Sequence, residues 1–218
     1  DSDDMIAPTH VDALMTALRA GDCDYVTSDY TDIDEAGNQI GQGKLREFMG
    51  TAWGRAYWRY VWNDVRFPEG YLYEDTMLSF LIKPRYKNKQ IENNGYLYRH
   101  TKSSISRNKG TDKKCLDAYW IIEELIDEAR LLNIPTKDVY ELAIRQCCVS
   151  VYERKQRFSK EWMPLIFSAC RDFLMVLKEE SNVSSFNFEL SKDIEEAFKT
   201  ENYRLWSLIG CYGVLSTL

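Results

Sequence analysis

The sequence lacks several features that would each point to a class of protein. Its longest nearly uninterrupted apolar run, LWSLIGCYGVL, is well short of the roughly 20 residues that a membrane-spanning helix needs. A net charge of −6 argues against non-specific nucleic-acid binding, so no nucleic-acid partner is expected. The six cysteines do not have metal-site or CxxC spacing. We therefore expect reduced, partly buried thiols in a cytoplasmic protein.

The composition is that of a globular chain whose character changes once. Its 218 residues are 44% hydrophobic and 28% charged, which suits one fair-sized domain or two small ones. Before about residue 108 the sequence is mixed and rich in glycine and aromatics, and after it the pattern is helical. This change predicts an α/β domain over 1–108 and an α-helical region over 109–218.

Local patterns in the first part predict alternating helices and strands. A helix should begin at Pro8-Thr9 and stop at Gly21, and DYVTSDYTDIDEAGNQI should form a strand, a turn and a return strand. We also expect a short helix over 44–49, an apolar helix over 76–83, and two short strands on either side of Asn93-Asn94-Gly95.

The second part should contain about four helices. Their expected spans are 112–132, a segment from Pro135 to about Val151, 163–180, and a last region from Ser191 through Trp206. Apolar residues recur in each at helical spacing, which predicts helices that pack on each other through one face.

The opening letters DSDD place three carboxylates in four residues. Carboxylates one residue apart, such as Asp1 and Asp3, can both face a bound divalent cation, because Mg²⁺ and Mn²⁺ favour oxygen ligands. Acidic residues just before a helix also interact well with its dipole. On these four letters alone, the second interpretation is the simpler one.

A second acidic pair, Glu74-Asp75, precedes an apolar segment. Asp75 could cap a helix there, or it could act as a general base, since a carboxylate held at a loop–helix junction can take a proton from a hydroxyl. Taken alone, the capping interpretation is again preferred.

Two further stretches could bind a ligand. In AWGRAYWRYVW, Trp53 could form a platform for a sugar ring and Arg55 could reach an anionic group, although aromatics at strand spacing more often belong to the core. Residues 83–109 carry eight basic side chains and one acidic one, Glu92. That stretch could meet a diphosphate or an anionic membrane, or it could be a solvated edge strand, and His100 within it could contact a metal or a phosphate.

Together these stretches resemble a known family. The succession DSDDMIAP, AWGRAYWR, VRFPEGYLYEDTMLSFL and YLYRHTKSSIS is similar to the second half of a family 2 bacterial glycosyltransferase. The resemblance covers residues 1 to about 107 and implies the C-terminal half of a GT-A domain, which is Rossmann-like with a mixed sheet. Residues 109–218 are similar to the helical extensions that many such enzymes carry.

The resemblance implies an inverting, metal-dependent transfer of a sugar from a nucleotide donor, expected to be UDP-linked. The acceptor would be a hydroxyl of a surface polysaccharide or a lipid-linked glycan. Asp3 then resembles a ligand of Mn²⁺ or Mg²⁺, and Asp1 a contact to the ion or the ribose. Asp75 resembles the base, with Glu74 beside it. The residues that would lie over the nucleotide are Arg99, His100, Ser103, Ser104 and Ser106.

The family's metal motif lies mid-domain, and its nucleotide-binding strands come before it. We therefore expect this chain to be a fragment that lacks that half and has little activity alone. Arg55 stands where the family often has Lys, which is not an equivalent donor. The alternative is an inactive, helical interaction module that docks on a synthase complex or at the inner face of the cell membrane through residues 83–109. A carboxylate-based phosphohydrolase is disfavoured, because such enzymes usually need further acidic motifs and a lysine in set places, which the chain lacks.

Overall fold

The computed structural model describes residues 2–45, 50–101, 113–155, 158–181 and 191–215. The chain divides into two compact units. The first comprises Asp1–Phe67 and Asp75–Asn108, and the second Pro68–Glu74 and Lys109–Leu218. The first holds a mixed β-sheet and the second is helical, so the protein belongs to the mixed α/β class.

Among the described residues of the first unit, five strands form the sheet: β1 (Met5–Ile6), β2 (Tyr25–Ile33), β3 (Gln39–Lys44), β4 (Arg55–Tyr57) and β5 (Asn88–Arg99). Their order is β1-β5-β2-β3, and β4 pairs with β2. Strands β2 and β5 run parallel, and the other pairs are antiparallel.

Strand β2 is central although half of its residues are polar. Thr27 Oγ1 donates to Asn88 Oδ1 at 2.9 Å, and Thr31 Oγ1 donates to the carbonyl oxygen of Asn94 at 3.0 Å. Asp29, which is 4% exposed, accepts from the side-chain amide of Gln90 at 2.9 Å. Because each of these buried polar groups has a partner, the strand can lie inside the sheet.

The predicted first helix and hairpin are confirmed. Helix α1 (His10–Arg19) ends before Gly21, whose φ of 82° is left-handed, and its buried leucines pack on Cys23 and Val26. The β2–β3 turn closes through Asp34, whose carboxylate accepts from the backbone and side-chain amides of Asn38 at 2.8 and 2.9 Å.

Two local predictions in this part differ from the structure, and a third falls largely outside the described residues. Asn93-Asn94-Gly95 is not a turn between two strands but an expansion within β5, because Ser28 pairs with Ile91 and Tyr30 with Tyr96. The apolar segment before Pro84 is a 3-10 turn (Glu74–Thr76) followed by a π-helical turn (Leu78–Ile82). The expected helix over 44–49 begins at the last residue of β3, and residues 46–49 lie outside the described part.

Interactions from neighbouring elements explain the expansion in β5. His10 Nδ1 is 2.9 Å from Asn93 Oδ1, and the backbone amide of Ala7 donates to the Gly95 carbonyl at 2.7 Å. Thr31 adds the hydrogen bond to Asn94 noted above. These bonds hold the extra residues within the strand, so it continues to Arg99.

The described helices of the second unit are α2 (Asp117–Leu131), α3 (Thr136–Arg145), α4 (Val151–Glu153), α5 (Met163–Ser181), α6 (Ser191–Lys199) and α7 (Tyr203–Leu215). A π-helical turn, Gln146–Ser150, makes α3 and α4 continuous. Trp206, with no exposed surface, packs against the rings of Tyr152, Phe167 and Tyr203 in the core, edge-on to Tyr152 and tilted to the other two.

The last predicted helical region is in fact two helices. Glu201 has a left-handed φ of 51°, which ends α6, and Asn202 Oδ1 accepts the backbone amide of Leu205 at 3.0 Å. This hydrogen bond caps α7. All six cysteines are free, as expected, and only Cys211 is exposed. In the described part of the chain, no helix combines the length and apolar character that crossing a membrane requires.

Candidate functional site

The end of β5 holds the DSDD segment. The Tyr96 hydroxyl donates to Asp4 Oδ2 at 2.5 Å, and the backbone amide of Arg99 donates to Asp4 Oδ1 at 2.7 Å. Burial, and then the hydrogen bond to Asp4, raise the pKa of Tyr96. Both Asp4 oxygens therefore serve to fix the segment. Among the described residues of the segment, Asp3 has an exposed carboxylate.

Arg99 connects the same segment to the β2–β3 turn. Its Nε donates to the backbone oxygen of Asp3 at 2.7 Å, and its Nη1 donates to the carbonyls of Glu35 at 2.8 Å and Asp34 at 3.3 Å. The resemblance assigns Arg99 to the nucleotide. In the structure its guanidinium binds three backbone carbonyls, so its observed role is to position the DSDD segment.

Trp53 lies against the same face of the sheet. Its ring stacks on Tyr96, with centroids 4.7 Å apart and planes 14° apart, and on Tyr98 at 5.2 Å and 17°. Tyr30, which pairs with Tyr96 across the strands, forms an edge-to-face contact with Trp53, with ring centroids 5.1 Å apart. Stacked and edge-on rings at these distances form a stable aromatic platform. We name Trp53, Tyr30, Tyr96 and Tyr98 the aromatic platform.

Two glycines make room for this arrangement. A Cβ at Gly43 would lie 2.2 Å from Cζ of Tyr30, so a larger residue there would displace the ring. Gly54 has a φ of 67°, and its carbonyl accepts from the backbone amide of Ser28 at 2.9 Å and from the Ser28 hydroxyl at 3.1 Å. Gly54 thereby anchors the Trp53 loop to β2.

His100 lies at the edge of the platform and is paired with an acid. Its Nε2 is 2.5 Å from Asp32 Oδ1, and its ring meets Tyr98 edge-on at 5.3 Å. Its backbone amide donates to Ile33 at 2.8 Å. The carboxylate orients the imidazole, so His100 is a directed polar group.

The remaining predicted residues have different surroundings. Arg55 lies on β4 beside Tyr57, and its charge partly offsets the rise that burial causes in the pKa of Tyr57. Asp75 lies on the 3-10 turn, with its backbone oxygen so close to Gly50 that a Cβ there would be 2.9 Å away. Glu74 is exposed and is assigned to the second unit.

The structure thus brings Asp3, Trp53, Arg99 and His100 to one edge of the sheet, and the pair Glu74-Asp75 is not among the residues that these contacts join. Asp1, Ser104 and the neighbouring serines 103 and 106 lie outside the described residues. Sequence reasoning missed the platform tyrosines and two acids. Alternation along strands, as in YLYRH and DYTD, is the signal for Tyr30, Asp32, Tyr96 and Tyr98, whereas Asp4 belongs to the DSDD letters themselves.

Comparisons with known proteins give no relative for this arrangement. No protein-family model, no curated protein and no solved structure matches the chain.

Proposed function

We propose that this chain is part of an inverting glycosyltransferase of family 2, with a GT-A domain, that transfers a sugar from a nucleotide donor to a hydroxyl of a glycan or lipid-linked acceptor. One observation carries the proposal. Three stretches that are far apart in the sequence, DSDD, the Trp53 loop and YLYRH, meet at one sheet edge. The mixed sheet is compatible with such a domain.

The proposal takes the exposed Asp3 carboxylate as a ligand of a divalent cation. Among the described residues, no group of three histidine, cysteine or acidic side chains gathers. Mg²⁺ is typically bound by one or two carboxylates together with substrate phosphates, so a larger set is not required. Asp3 would supply a carboxylate, with Asp1 as the second. When bound, the ion would offset charge on the diphosphate.

The chemistry assigned to this chain is proton removal at the acceptor. In the proposed step, Asp75 takes the proton of the acceptor hydroxyl while that oxygen forms a bond to the anomeric carbon. The bond from this carbon to the diphosphate oxygen breaks, and its electron pair leaves with the nucleotide. A single displacement inverts the configuration at the anomeric carbon. The aromatic platform would offer apolar surface to a sugar ring.

A transfer assay on the full natural chain, with UDP-sugars and Mn²⁺, tests the proposal. Asp75→Asn should lower the rate by about 10²–10⁴-fold, the usual contribution of a general base, without changing donor affinity. Asp12→Asn, which removes an exposed acid on α1, is the control and should retain most of the rate. Normal transfer by Asp75→Asn would remove the base assignment.

The alternative, an inactive module that docks on a membrane, depends on the basic charge of residues 83–109. The described cations of this stretch are partly neutralised within the fold. Arg85 pairs with Asp64 and Lys89 with Asp22, each at 3.1 Å, while Arg99 is occupied by carbonyls. Less charge is then left for anionic lipid. Strong sedimentation with anionic vesicles, combined with no nucleotide affinity, would favour this alternative over the transferase.

A further inference from the structure

One short stretch of the first unit, residues 59–67, forms a pocket that the proposed function does not use. The pocket has a volume of about 310 Å³, and its lining residues are Arg59, Trp62, Asn63, Val65, Arg66 and Phe67. All six belong to the first unit. Ligand pockets usually measure about 300–1,000 Å³, so this pocket suits a small ligand. We call it the arginine pocket.

The sheet and the core hold this stretch in place. Just before the 3-10 turn Arg59–Trp62, the backbone amide of Trp58 donates to the carbonyl of Asp24 at 3.1 Å. The side chains of Val61 and Val65 are buried. A binding site is more precise when its side chains project from a backbone that is fixed in this way.

The arginine pocket is positively charged although the whole chain carries a net charge of −6. Arg59 and Arg66 are both exposed, and none of the six lining residues is acidic. Asp64 lies between the two arginines in the sequence, but its carboxylate pairs with Arg85 at 3.1 Å. The pocket therefore favours an anionic ligand.

Hydrogen bonds to the backbone orient one of the two arginines. Arg66 Nη1 donates to the carbonyl of Trp62 and, at 2.6 Å, to the carbonyl of Val65. Both bonds use Nη1, so the guanidinium retains N–H groups on Nε and Nη2 with which it can meet a ligand. A planar guanidinium binds phosphate through two parallel hydrogen bonds, and an oriented one loses less conformational freedom on binding.

Two aromatic rings supply the apolar part of the pocket. The ring centroids of Trp62 and Phe67 are 5.3 Å apart, with planes tilted by 34°. Tyr57 makes an edge-to-face contact with Trp62, with centroids 5.1 Å apart, which fixes the indole ring. Phe67 is 38% exposed and Trp62 is partly exposed, so both rings can offer apolar surface to the ring of a ligand.

We propose that the arginine pocket binds a phosphate monoester carried on a small ring, as in a sugar phosphate or a nucleoside monophosphate. The phosphate would meet Arg59 and Arg66, and the ring would lie against Trp62 and Phe67. The Asn63 amide can donate to or accept from a hydroxyl of the ligand. No residue of the proposed transfer reaction takes part, so the two proposals can fail separately.

Calorimetry on the full natural chain with glucose 1-phosphate and with AMP tests the proposal. EDTA is present, so that the proposed metal-dependent donor site does not contribute. At least one ligand should bind, and the tighter one identifies the source of the phosphate. Arg59→Gln and Arg66→Gln should each weaken binding at least ~10-fold, because each removes a hydrogen bond to a charged group. The control is Arg19→Gln, which removes an exposed arginine of α1 and should bind like the wild type.

Nuclear magnetic resonance places the ligand. The indole N–H signal of Trp62, identified by its absence in Trp62→Phe, should shift during the titration, whereas that of Trp53 on the aromatic platform should not. The proposal is overturned if neither ligand binds, if the affinity is unchanged in Arg59→Gln, or if only the Trp53 signal shifts. Because Arg66 also bonds to the backbone, Arg59→Gln decides the result if Arg66→Gln does not fold.

Discussion

Replacing Tyr96 with Phe tests whether the end of β5 holds the DSDD segment. The change removes the hydroxyl that donates to Asp4 at 2.5 Å and leaves the ring stacked on Trp53. The hydrogen bond from the Arg99 amide to Asp4, at 2.7 Å, remains. A hydrogen bond to a charged group contributes about 1.5–3 kcal/mol, and water can replace part of it because Asp4 is only half-buried. We expect the free energy of unfolding to fall by ~1–2 kcal/mol.

Thermal unfolding measures this loss. For a chain of this length each 1 kcal/mol shifts Tm by about 2–4 °C, so Tyr96→Phe should melt roughly 2–8 °C lower. Because the folded-state pKa of Tyr96 is raised, the stabilisation that accompanies its protonated form is complete below about pH 10 and is lost only as pH rises further. A measurement at pH 7 therefore captures all of it.

Tyr98→Phe is the matched control. Tyr98 also stacks on Trp53, from the same strand and face, but it makes none of the hydrogen bonds to the DSDD segment described above. Its Tm should be close to that of the wild type. If the Tm of Tyr96→Phe equals that of the wild type, or if both variants lower Tm by the same amount, the hydrogen bond to Asp4 does not hold the segment.

Gly43→Ala should lower the free energy of unfolding, measured in urea, by about 1–3 kcal/mol, because the new methyl group overlaps the Tyr30 ring. An unchanged free energy of unfolding would contradict the packing described for the aromatic platform. The pKa of Tyr60 is raised to about 12, chiefly by its hydrogen bond to Asp24, so the stabilisation linked to its protonated form should persist to about pH 10 and disappear as pH rises towards 12. The ultraviolet titration curve of the wild type minus that of Tyr60→Phe should show one phenol that ionises near pH 12. A midpoint near pH 10 in this difference would refute the assignment.

Elements controlled by local sequence were predictable. The β2–β3 hairpin depends on Asp34, Gly37 and Asn38, which are close together in the chain and set the turn themselves. Strand β5 was predicted as two strands, because Asn93-Asn94-Gly95 is a typical turn sequence. Hydrogen bonds from residues far away in sequence, such as that from His10, keep those residues in the strand. No local pattern contains that information.

The same limit applies to the candidate site. Trp53 was predicted as a ligand-binding residue because it lies in an aromatic-rich stretch. Its stacking on Tyr96, however, depends on how β4, β2 and β5 align. Arg99 was assigned to a nucleotide from its charge, whereas the structure uses that charge on backbone carbonyls. Residue type indicates what a side chain can bind, but its role depends on the groups that the fold places within reach.

Binding of UDP to the full natural chain, measured by calorimetry with and without Mn²⁺, tests the central claim most directly. If Asp3 presents a carboxylate to an ion that bridges to the diphosphate, binding should require Mn²⁺ and weaken at least ~10-fold in Asp3→Asn, since an ion at such a site is held by few carboxylates. Asp12→Asn, an exposed acid on α1, should bind like the wild type. Equal affinity in Asp3→Asn and the wild type, or no dependence on the ion, would contradict the account.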